Sequence, residues 1–221
     1  MKDMFRSFCI FTGAYTIKNT AQILLTFFAI FAAMSLLSAI PVQEDSFAAG
    51  FFSSFIPGFS MFVPMGGAFL LNALYTYNLP QTQGFKYLHS IPESARKFRQ
   101  AIAAANIVAL AVMFIAIVIN SLLFYGFEIG TSPLFAAFVS LLAIGITNLL
   151  GGTKKQWLRF AAMMPLFVGA GFAFGFSAAL QEKGESLPES VLWIALGVSI
   201  VVYIAGLIYT FKVSEKKWRR E

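Results

Sequence analysis

Residues 87–120 read "YLHSIPESARKFRQAIAAANIVALAVMFIAIVIN". The stretch opens with charges and a turn signal, then runs into uncharged apolar residues without a break. About 20 mainly apolar residues are enough to cross a bilayer as a helix, and Ala101–Phe127 supplies such a run. Five others are spread along the chain, at Thr20–Val42, Phe51–Tyr75, Pro133–Leu150, Leu158–Leu180 and Glu189–Phe211. The expected fold is therefore all-α: a polytopic membrane protein with six transmembrane helices, residues 1–221 forming a single transmembrane domain.

Composition agrees. The 221 residues are 58% hydrophobic and 12% charged, with a mean hydropathy of +0.76. Soluble domains carry about 25% charged residues, so a water-surrounded core of this size would not hide so many apolar side chains. Cys9 is the single cysteine, which excludes an intrachain disulfide and any CxxC metal motif.

Charge orients the spans. With both termini in the cytosol, every one of the 16 Lys and Arg residues except Lys183 falls in an inner segment, while Glu44, Asp45, Glu128, Glu182, Glu185 and Glu189 fall outside. This is the positive-inside pattern. It accounts for the net charge of +6 through attraction to anionic inner-leaflet lipids, so the lipid bilayer is the partner implied and no nucleic acid is needed.

No Asp, Glu, Lys, Arg or His lies deep in a span. Ion-coupled carriers place such groups near the midplane, so that class ranks last. There is no G-x-x-x-x-G-K-[ST] phosphate cradle and no G-x-S-x-G elbow. The chain is read as no enzyme, with no cofactor or metal of its own. Polar residues within the spans are amides and hydroxyls. Asn106 and Asn120 share one face of the third span, and Asn72 and Asn148 sit near inner span ends. Helix–helix hydrogen bonding is their first reading; a polar cargo lining is the second. Pro57, Gly58, Pro64, Gly66 and Gly67 are expected to kink or break the second span, and Gly171 and Gly175 stand at GxxxG spacing in the fifth, a candidate interface.

At the N-terminus, Met4, Phe5, Phe8 and Phe11 form an apolar stripe on a short interfacial amphipathic helix, with Lys2, Arg6 and Ser7 off it and Gly13 ending or bending it. Near the C-terminus, Trp218 within a basic tail is expected at headgroup level. In the opening stretch, Ser90-Ile91-Pro92-Glu93 has the form of a capping box. It predicts a helix starting near Ile91 and bending into the third span, with a turn-rich approach upstream at Pro80 and Gly84.

Six spans, an interfacial N-terminal segment and the phrase Ile91-Pro92-Glu93-Ser94-Ala95-Arg96 together resemble a membrane (permease) subunit of a type-2 ATP-binding-cassette (ABC) exporter. The short external segment between the last two spans is more similar to bacterial peptide exporters of the phenol-soluble-modulin kind. The resemblance implies a cytosolic coupling helix between spans 2 and 3 that docks on a separate ABC ATPase subunit, which binds the ATP and Mg. Leu88, Ile91 and Phe98 would supply apolar docking contacts, Glu93, Arg96, Lys97 and Arg99 charge pairing, and Ser90 and Pro92 the turn. It further implies a second permease copy or a paralogue, an amphipathic peptide cargo, a candidate pathway or interface at Asn72, Asn106, Asn120, Gly171 and Gly175, and a bacterial plasma-membrane location. The rival reading is a non-transporting membrane immunity or assembly protein.

Overall fold

The computed structural model describes residues 1–38, 63–78, 83–124, 131–151, 153, 157–159, 161–162, 164–166, 168–169 and 188–218. Among these the regular structure is helical. In chain order it comprises α1 (Lys2–Thr12), α2 (Ala14–Ser38), a 3₁₀ turn at Val63–Met65, α3 (Gly66–Tyr77), α4 (Gln83–Ser90), α5 (Ser94–Phe124), α6 (Thr131–Leu150) and α7 (Glu189–Trp218).

Among the described residues, three helical segments are long and apolar enough to cross a membrane: Ser94–Leu122, Pro133–Leu150 and Glu189–Val213. They coincide with the third, fourth and sixth runs expected from sequence. The helix α2 covers most of the first run and starts upstream of it, at Ala14. Of the second run, the described helix is the Gly66–Tyr77 portion. Gly171, Gly175, Pro57 and Gly58 lie outside the described residues.

Glycines set how closely the long helices approach. A Cβ on Gly145 of α6 would lie 2.9 Å from Tyr203 Cα of α7, and one on Gly206 would lie 2.5 Å from the Gly145 carbonyl oxygen. The two helices thus touch backbone to backbone. The same logic joins α3 to α5, because a Cβ on Gly67 would lie 2.5 Å from the Ala109 carbonyl oxygen. Small residues permit such approach where lipid offers no hydrophobic drive between helices. The outward side of α7 carries Trp193, Ile194, Val198, Val201 and Ile208, all exposed, as expected of a face turned to acyl chains.

The helix α5 is one unbroken helix of 31 residues, about 46 Å long at 1.5 Å per residue, with no interruption where the charged part meets the apolar part. Its sequence explains this: no Gly or Pro occurs between Ser94 and Phe124, and kinks need one of these or an inserted group.

Candidate functional site

One end of the molecule gathers α1, α4, the start of α5 and the end of α7 into an aromatic cap. Gly13, in the left-handed region at φ 80°, closes α1 by donating its N–H to Cys9 O at 3.0 Å. The chain then turns into α2. Phe8 and Phe11 of α1 are buried, and Ser7 Oγ donates to Gln100 Oε1 at 3.4 Å. The face turned inward is therefore rotated from the expected stripe: Ser7 is buried and Phe5 is exposed. Asn78, just past α3, donates from Nδ2 to Phe11 O at 3.0 Å and to Leu74 O at 2.7 Å, which ties α1 to the end of α3.

The approach expected to be turn-rich contains a helix, α4. Its Phe85 and Leu88 point inward, whereas Lys86 and Tyr87 are exposed. Gly84 lies in its first turn, where the apolar spacing of Phe85 and Leu88 outweighs a single glycine. Ser90 ends this helix: its hydroxyl donates to Tyr87 O at 2.7 Å.

The expected capping box does not form. Ser90 is committed to the helix behind it, and Glu93 adopts φ 57°, a left-handed conformation uncommon outside glycine. Glu93 O accepts the first bond of α5, from Lys97 N at 3.0 Å, and the Glu93 carboxylate turns to Arg96, 3.3 Å away. The helix therefore begins at Ser94 rather than near Ile91, and Pro92 belongs to the turn between two helices.

Trp218, the last residue of α7, closes the cap. It is 5% exposed. Its ring stacks on His89 (centroids 4.4 Å apart) and on Phe98 (4.6 Å), and it meets Phe11 and Phe85 edge-on at 5.6 Å each. The indole Nε1 donates to Ser94 Oγ at 2.8 Å. Stacked and edge-to-face arrangements are the favourable aromatic geometries. The α4–turn–α5 unit is thereby bolted to both ends of the chain.

This changes which residues the cap can offer to a partner. Leu88 and Phe98, expected as docking contacts, are buried at 2% and 7% exposure, because Leu88 lies on the inner side of α4 and Phe98 beneath Trp218. Ile91 and Lys97 are half-buried. The surface presented outward is Lys86, Tyr87, Ser90, Pro92, Glu93, Arg96 and Arg99. Tyr87, 70% exposed, is an apolar contact that sequence reading missed; its position opposite Phe85 and Leu88 on α4 is the signal that could have found it.

Below the cap lies a buried amide cluster. Asn148 Nδ2 donates to Asn106 Oδ1 at 2.7 Å, and Tyr75 Oη donates to Asn148 Oδ1 at 2.7 Å. Asn106 Nδ2 also donates to Ile102 O at 2.9 Å, and the Thr210 hydroxyl donates to Asn148 O. Asn148 is thus a hub between α3, α5, α6 and α7. The first sequence reading of Asn106, helix–helix bonding, describes its contacts. Asn120 is buried further along α5, and Asn72 is half-buried on α3; neither belongs to this cluster. Arg159, assigned from sequence to an inner basic segment, is 2% exposed.

No protein-family model, curated protein or solved structure matches the chain.

Proposed function

We propose that this protein is the permease subunit of an ATP-driven type-2 ABC exporter. In this reading six helices span a bacterial plasma membrane, both termini are cytosolic, and the cap faces the cytosol. A separate ATPase subunit docks there and a second permease copy or a paralogue completes the transporter, which moves amphipathic cargo, peptides above all, out of the cell.

The observation that carries the reading is mechanical. A compact charged knob, held by Trp218 against α1 and α4, is continuous with an uninterrupted 31-residue helix. A push on the knob would pass to α5, because Trp218 stacks on His89 of α4 and on Phe98 of α5 and so joins the two helices across their turn. It would tilt α5 as a rod, and the close contact at Gly67–Ala109 and the Asn106–Asn148 bond would carry that tilt to α3 and α6. Docking would use Tyr87, Pro92 and the exposed part of Ile91 for apolar contact, with Lys86, Arg96 and Arg99 facing an acidic rim on the ATPase. Leu88 and Phe98 would hold the knob's shape from inside.

The test is purification of the full chain from its own membranes with subunit identification by mass spectrometry. The wild type is expected to bring down a Walker-A-containing ATPase. The double variant Tyr87→Asp, Arg96→Glu is expected to lose it while keeping the wild-type thermal unfolding profile. An ATPase retained undiminished by that variant, or none associated with the wild type, would overturn the reading.

A further inference from the structure

Among the described residues, Arg159 is the charged side chain buried to below a tenth of its surface. Its Nε, Nη1 and Nη2 are all shielded and have no hydrogen-bond partner among the described residues. A guanidinium presents five N–H donors and cannot shed its charge, so burial without an acceptor is a strongly unfavourable state for the chain by itself. The Tyr75 hydroxyl donates to Asn148 Oδ1 and accepts nothing from the Arg159 guanidinium. Gly151 lies so close to the Tyr75 ring that a Cβ there would sit 2.6 Å from Cζ. Among the described residues, this buried cation has neither a hydrogen-bond partner nor a counter-ion.

The surroundings indicate what the counter-ion is. Arg159 follows α6 in the chain, past closing turns in which the N–H groups of Gly151 and Thr153 donate to Asn148 O and Leu150 O. Its chain neighbours Trp157 and Leu158 are exposed, Trp157 at 63%. An exposed tryptophan beside a span end marks headgroup depth, and cationic pockets between helices at that depth take anionic headgroups. The guanidinium fork matches the oxygens of a phosphate. We propose that Arg159 is a lipid-binding residue that receives the phosphate of an anionic phospholipid headgroup at the same end of the molecule as the cap.

The inference rests on the membrane-spanning reading above for the position of the headgroups, but not on the ATPase. It is therefore tested on the isolated full chain, where no partner subunit takes part. Thermal unfolding is followed in zwitterionic detergent with added phosphatidylglycerol, phosphatidylcholine or inorganic phosphate, alongside native mass spectrometry of retained molecules. A ligand that binds only the folded state raises the unfolding temperature. Phosphatidylglycerol is expected to stabilise the wild type and to stay bound, and the other two additives to leave it unchanged. Arg159→Gln is expected to lose most of that response without a lower unfolding temperature in the absence of lipid. Arg159→Lys, which keeps a charge but not the fork, is expected to keep a reduced response. An equal response in Arg159→Gln, or in Arg159→Lys should the first variant not fold, would overturn the proposal. So would stabilisation by inorganic phosphate alone, or retention of an acidic peptide in place of lipid.

Discussion

The aromatic cap and the amide cluster lie next to each other and are held together by opposite means. In the cap, large rings converge on Trp218 and charges point outward. In the cluster, hydrogen bonds converge on Asn148 and glycines bring backbones into contact nearby. The difference follows from the solvent each would meet. Where water surrounds a structure, burying rings is itself favourable. Between helices in lipid that drive is absent, so contact depends on hydrogen bonds and close packing. In the proposed reading the two regions mark where the protein leaves one solvent for the other.

Substitutions can break this contrast in order of size. Trp218→Ala should be the most damaging, because it empties the centre of the cap; large aromatic deletions cost about 3–5 kcal/mol. The unfolding temperature should fall, and hydrogen exchange should rise together in α1, α4 and the start of α5. Gly206→Leu should cost about 1–3 kcal/mol by forcing α7 off α6, and its exchange change should be confined to those two helices. Should both variants loosen the same segments, the regions are not separate.

The amide bond is smaller in effect. A double-mutant cycle on Asn106→Ala and Asn148→Ala should give a coupling of about 0.6–2 kcal/mol, read from unfolding in detergent. A coupling near zero would mean that the cluster is packing alone. Smallest of all, Glu93→Gly should stabilise the protein by at most about 1 kcal/mol, since glycine adopts the left-handed conformation without the Cβ penalty. The Glu93–Arg96 pair lost with it is exposed and contributes little.

Much of this architecture is legible from sequence, for a definite reason. Apolar run length alone identifies α5, α6 and α7, and Gly13 announces the end of α1 by its residue type. What sequence hides is pairing at a distance. Trp218 shows its residue type but not its hydrogen-bond partner Ser94, which is 124 residues away. Asn106 shows its face but not that Asn148, 42 residues on, lies opposite. The capping box misleads because Ser90 satisfies two local patterns, the end of α4 and the start of α5, and only the backbone of Glu93 decides between them. Arg159 reads as one more inner basic residue because burial leaves no trace in a short charged run.

The central claim is that the cap faces the cytosol, where an engine can reach it. Cys9 is the chain's single cysteine, lies in the cap's α1 and is exposed, so it reports the cap's side directly. A membrane-impermeant maleimide applied to intact cells should leave Cys9 unlabelled and should label it once the cells are broken. Labelling of Cys9 in intact cells would place the cap outside and contradict the account.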